Sequence, residues 1–196
     1  KTRFINITML KAITTTLLLV CLSLYPFIVY FGLQHISIRQ VSLVLMVLLG
    51  LRLLLSKKLL TSMPWIKPAS ILAIIALATT QFFNNDLGLK LYPVIINTVM
   101  AITFAYSLKS GPTVIESFAR IKEPELDEKG VNYTRQVTKV WCAFFIINGS
   151  IALYTSLFTS LQTWTLYNGL VAYILIALLG LVEWFVRQKV KSNGSE

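Results

Sequence analysis

The Lys and Arg residues of this chain are confined to alternate gaps between apolar stretches. Sixteen of the eighteen fall within residues 1–11, 52–67, 109–139 and 187–191, and the gaps between hold only Arg39 and Lys90. Cations collect on the cytoplasmic side of a bilayer-spanning chain, so an alternating pattern counts helices and orients them in one step. The pattern predicts an all-α polytopic membrane protein, a bundle of six transmembrane helices with both termini in the cytoplasm. The expected spans are residues 11–33, 36–55, 68–83, 91–108, 137–158 and 166–186. Six helices on short connections make residues 1–196 a single membrane domain.

Composition agrees with a hydrocarbon solvent. The chain is 56% hydrophobic and only 13% charged, against roughly 25% charged in a soluble domain. A net charge of +10 would suit nucleic acid only if the cations shared one soluble face. Here they flank apolar segments, where anionic headgroups attract them, and a nucleic-acid partner is not expected. Cys21 and Cys142 form no disulfide framework and read as small buried hydrophobes. Residues 1–24 mimic a secretory signal, but the apolar run continues past Leu24 without a small-residue cleavage site, which predicts a retained first span.

Pro26 and Gly32 lie in the first span and Arg52 in the last turn of the second. Trp65, in the basic loop after it, suits the headgroup level. The third span is rich in small residues that allow close helix approach. Asn84 to Gly88 reads as an outer turn, and Pro93 starts the fourth span, where a missing donor is tolerated. In the polar segment 109–136, Thr113 and Glu116 have capping-box spacing. Val114, Ile115, Phe118, Ala119 and Ile121 alternate with polar residues, so a short cytoplasmic interfacial helix is expected at about residues 112–122. Residues 127–132 read as a solvated loop, Gln162 and Trp164 as part of an outer turn, and residues 187–196 as a frayed tail.

Ionisable groups inside spans are functional suspects because each is costly in hydrocarbon. Arg52 and Glu183 qualify. The ordinary reading is snorkelling or an ion pair, with Arg187 one turn beyond Glu183; the sharper one is a shared cytoplasm-facing polar pocket. Asn97, Asn148 and Asn168 suit helix-to-helix hydrogen bonds. His35 and Asp86 sit at outer ends. The acidic run Glu123, Glu125, Asp127 and Glu128 reads as an ordinary charged loop, so neither a metal nor a cofactor is expected. No phosphate loop, G-x-S-x-G or H-E-x-x-H motif occurs, which leaves enzyme status open and leans against it.

The second half also carries a resemblance. Gly111-Pro112, Ile115-Glu116, Phe118-Ala119-Arg120, residues 133–138 and 140–145, Asn148-Gly149, residues 166–170 and Glu183-Trp184 resemble a family of uncharacterised bacterial inner-membrane proteins. Members of that family are encoded in aryl-polyene or fatty-acyl gene clusters. A weaker similarity, mainly at residues 141–145, is to the intracellular septation protein A family. The resemblance implies an inner-membrane location and a working set of Glu116, Arg120, Tyr133, Arg135, Trp141, Asn148, Asn168 and Glu183 at the cytoplasmic face. Membrane lipids are the partners it implies first, with acyl-carrier or envelope-biogenesis proteins next, and a homo-oligomer stays open. The function expected is a non-catalytic scaffold or accessory factor in envelope lipid or polyene-lipid assembly. The alternatives are a small lipid or acyl-conjugate translocator and a membrane enzyme acting on lipid-linked acyl groups.

Overall fold

The computed structural model describes residues 20, 24–55, 66–121 and 123–192. Helices α1 (Tyr25–His35), α2 (Ile38–Leu55), α3 (Ile66–Phe83), α4 (Leu87–Lys90) and α5 (Tyr92–Ser107) make up the first half. Helices α6 (Val114–Arg120), α7 (Glu128–Phe158), α8 (Leu161–Leu166) and α9 (Ala172–Ser192) follow, with a π turn, Tyr167–Val171, joining α8 to α9. Among the described residues there is no strand. Among the described residues, four helical runs are long and apolar enough to cross a bilayer: Ile66–Phe83, Leu87–Ser107, Glu128–Phe158 and Leu161–Lys189. Much of the first expected span, together with Cys21, Trp65 and the 56–65 loop, lies outside the described residues.

Local chemistry explains the boundaries. Ser37 and Gln40 exchange side-chain and backbone hydrogen bonds (3.0 and 3.3 Å), a capping box that starts α2 two residues after α1 ends. Thr113 and Glu116 do the same for α6 (3.2 and 3.3 Å), as their spacing predicts. Asp127 Oδ1 accepts from the Gly130 amide at 2.8 Å. That cap starts α7 at Glu128, so the expected loop at 127–132 is helical from its second residue. Ser160 caps α8 by accepting from the Thr163 amide (3.2 Å). Gln162 and Trp164 therefore lie in a helix, not in a turn. The expected frayed tail is also helical as far as Ser192.

The helices alternate in direction. Gln81 near the end of α3 donates to the Arg39 carbonyl (2.9 Å) and to Ser42 Oγ near the start of α2. Asn84, with φ of 49°, then reverses the chain into α4. Gly88 sits so close to α3 that a Cβ there would lie 2.2 Å from the Ala76 carbonyl oxygen. Between α5 and α7 the contacts run in antiparallel register: Lys90 with Ser156, Asn97 with Asn148, Ala101 with Cys142, Leu108 with Arg135. Tyr133 on α7 likewise reaches Glu183 on α9. One end of the bundle thereby gathers Lys109, Arg135 and Arg187. The other holds Arg39 and Lys90, the latter paired with Asp86 at 2.7 Å.

Pro93 organises the centre. It has no amide hydrogen, so the Leu89 carbonyl loses its helical donor, and the buried Tyr25 hydroxyl donates to it instead. The next carbonyl, of Lys90, accepts from Trp164 Nε1 (3.2 Å) and Ser156 Oγ (2.9 Å). Around this node pack Tyr25, Val29, Val41, Leu45, Leu49, Leu77, Leu89, Tyr92 and Trp164. The outer faces are apolar instead: Leu54, Phe82, Phe83 and Phe158 are each more than 70% exposed. Such a surface has its low-energy partner in lipid tails, not in water. The Gly88→Ala variant should unfold several degrees earlier in a detergent thermal melt, a loss of about 2 kcal/mol or more, because backbone rather than a flexible side chain occupies the space.

Candidate functional site

Two polar places lie along the α5, α7, α9 face of the bundle. The first is a seam of amides. Tyr167 donates its hydroxyl to Asn148 Oδ1 (2.8 Å), Asn148 Nδ2 donates to Asn97 Oδ1 (2.9 Å), and Asn97 Nδ2 donates to the Pro93 carbonyl (2.8 Å). Asn168 Nδ2 donates to Thr155 Oγ1 (3.1 Å) and to the Trp164 carbonyl (2.9 Å). Each amide is buried and satisfied across a helix boundary, as hydrocarbon requires. Gly149 lets Asn97 approach, since a Cβ at that position would lie 3.0 Å from Asn97 Cβ. Beside the seam is a cavity of about 130 Å³, lined among others by Tyr25, Tyr92, Asn97, Asn148, Asn168 and Tyr173.

The second is a pocket of about 470 Å³ at the basic end. Helix α6 covers it with Ile115, Phe118 and Ala119. Met100 and Phe104 of α5 and Trp141 and Phe145 of α7 form its walls, and Glu183 and Arg187 of α9 its polar edge. The walls are rigid because the rings interlock: Phe104 meets Phe145 edge-on at 5.1 Å, and Trp141 lies 5.7 Å from Phe145. Tyr133 donates to the Glu183 carbonyl (3.2 Å) and lies 3.4 Å from its Oε1, so α7 holds that carboxylate in place. A carboxyl group, a guanidinium and an indole around an apolar floor suit an amphipathic ligand with an acyl portion.

The residues singled out from the sequence divide into separate groups. Tyr133, Trp141 and Glu183 come together at the α6-covered pocket, and Asn148 and Asn168 lie in the seam. Glu116 and Arg120 are bound to each other (2.8 Å), and Arg120 also donates to the Pro124 carbonyl (3.0 Å); they fasten α6 rather than line the pocket. Arg135 donates to the Leu108 carbonyl (2.9 Å), tying α7 to the end of α5. Arg52 stands apart from Glu183, with its guanidinium against the Tyr92 hydroxyl. Tyr167 and Thr155 are polar members that the sequence did not single out, and Arg187 entered only as a pairing partner for Glu183. A π turn displaces the first of them from the regular helical phase used to read the polar faces. Among the described residues no three His, Cys, Asp or Glu side chains gather in a group able to hold a metal ion.

Protein-family models, curated proteins and solved structures give no match to this chain. Replacing Asn148 with Leu should cost about 1–2 kcal/mol in detergent unfolding, because it leaves Tyr167 and Asn97 without their shared partner. Tyr167→Phe should cost less than half of that, since Asn148 and Asn97 still pair.

Proposed function

We propose that this chain is a six-span inner-membrane protein of bacteria, with both termini in the cytoplasm, that acts without catalysis as an accessory factor. It holds the acyl portion of a lipid or polyene-lipid at the cytoplasmic leaflet during envelope assembly. The observation that carries this reading is the apolar pocket closed by α6 and edged by Glu183 and Arg187. The exposure of Phe118 on α6 and of Ile121 just past its end supports an interfacial position for that helix, because both side chains would meet headgroups and upper acyl chains. The gathering of cations at the α6 end supports its placement in the cytoplasm. The lipid neighbourhood itself comes from the sequence resemblance over residues 90–187.

The polar seam supports a second reading, lipid translocation, since it joins three helices beside a cavity. Its amides satisfy one another, however, and the outer ends carry few charges. Scramblase activity in proteoliposomes that is lost in Asn148→Leu would favour this reading over the first.

A photoactivatable fatty-acyl phospholipid tests the primary reading in native membranes. Crosslinks should concentrate on Phe118, Trp141 and Phe145, and Ala119→Trp, which fills the pocket, should reduce them at least about fivefold. Crosslinking spread evenly over the outer apolar faces, unchanged by Ala119→Trp, would overturn it. A cysteine placed at Lys109 should react with membrane-impermeant maleimide only after the inner membrane is opened. Labelling of intact spheroplasts from outside would reverse the orientation.

A further inference from the structure

Among the described residues, Arg52 is a buried cation without a counter-ion. It lies in the last turn of α2 and is only 7% exposed. No described carboxylate makes an ion pair with it; Asp86 pairs with Lys90 and Glu116 with Arg120. The sequence sharpens the point. No Asp or Glu occurs before Asp86, so neither the first span nor the 56–65 loop can supply a negative charge. A guanidinium is not deprotonated in proteins, so the charge cannot be shed. Its neighbour is the Tyr92 hydroxyl, a hydrogen-bonding group and not a carboxylate.

A second buried polar atom lies at the same level. Gln81 beside Arg39 and Ser42 sets the antiparallel register of α2 and α3. Counting down both helices from that contact brings Leu45 level with Leu77, Leu49 with Ala73, and Arg52 with Ser70. Ser70 is 1% exposed, and its Oγ and the Arg52 Nε both have no hydrogen-bond partner. Two unsatisfied donors on facing helices, one of them charged, are expensive in hydrocarbon unless something accepts from both. Lys67, exposed and three residues before Ser70 on the same helical face, adds positive charge at the approach.

We infer that Arg52, Ser70 and Tyr92 form a binding site for a phosphate group where α2, α3 and the start of α5 meet, distinct from the pocket beneath α6. A phosphate offers the planar guanidinium fork two oxygens and leaves others for the two hydroxyls. The phosphodiester of an anionic phospholipid and free inorganic phosphate share this chemistry. The site does not rest on the proposed acyl-binding role and would stand if that role failed.

Thermal unfolding of the purified full chain in dodecyl maltoside, followed by tryptophan fluorescence, tests the site. Phosphatidylglycerol at a hundred times its Kd should raise the wild-type midpoint by about 5–10 °C. Diacylglycerol with the same chains should leave it unmoved. Inorganic phosphate tested against chloride at equal ionic strength separates the sources: a matching rise marks a site open to water, and no rise marks a lipid headgroup. Arg52→Met should lose the phosphatidylglycerol response and, without lipid, unfold no earlier than wild type, because an unpaired charge has been removed. Lys109→Gln, an exposed cation elsewhere, should respond as wild type does. If Arg52→Met does not fold, Arg52→Lys and Ser70→Ala should each raise the half-saturating lipid concentration at least about fivefold. A phosphatidylglycerol response preserved in the Arg52 and Ser70 variants, or a wild type indifferent to both phosphate sources, would overturn the inference.

Discussion

Two adjacent carbonyls, those of Leu89 and Lys90, hold the bundle together. Proline at position 93 deprives the first of its helical donor, and in a bilayer no water can replace it. The remedy must come from another helix. Tyr25 supplies it from α1, while Trp164 from α8 and Ser156 from α7 converge on the carbonyl beside it. Each donor carries a large apolar body or sits on a helix that does, so satisfying two oxygens also assembles the core. Tyr25 stacks against Tyr92 at 4.4 Å, and Trp164 meets Tyr25 edge-on at 6.4 Å. A deficiency in one helix thereby sets the position of three others.

The same rule governs the remaining polar groups. Asn97, Asn148 and Tyr167 form one chain of donors, and Asn168 bonds to Thr155 and to the backbone. Glu116 is capped by its own helix start and paired with Arg120. Measured against this, the exceptions among the described residues are Arg52 Nε and the hydroxyls of Ser70, Thr80 and Thr165; Arg52 is the charged one, and an unsatisfied charge in a low-dielectric interior carries information. The outer faces show the converse. Leucine, isoleucine and phenylalanine are presented outward along α2, α3, α7 and α9, where hydrocarbon solvates them without any directional demand.

Much of the architecture was legible from residue order alone. Charge alternation anticipated the directions of α3, α5, α7 and α9, and the Thr113 to Glu116 spacing anticipated the start of α6. The register between helices was not legible, because it depends on which side chains meet: nothing near Arg52 in sequence points to Tyr92. The start of α7 was missed because the charged run at 123–128 reads as loop until Asp127 is recognised as a cap. Trp164 was placed in the uncharged outer turn between the last two expected spans. It is buried here because a carbonyl inside the bundle needs its indole. For the candidate site, residue types were legible and groupings were not. Trp141 and Glu183 share a pocket, whereas Glu116 and Arg120 fasten its cover.

The π turn at Tyr167–Val171 has a mechanical consequence. A wide turn accommodates one residue more than an α-helical turn, and each residue corresponds to roughly 100° of rotation. The part of α9 below it is therefore wound out of phase with α8, and that offset aims Glu183 toward Tyr133 while Trp164 points at Lys90. Were the extra residue to migrate along the helix, the lower segment would swivel about its axis like a key. The amide seam and the mouth of the pocket, more than a dozen residues apart, are thus two ends of a single torsional element.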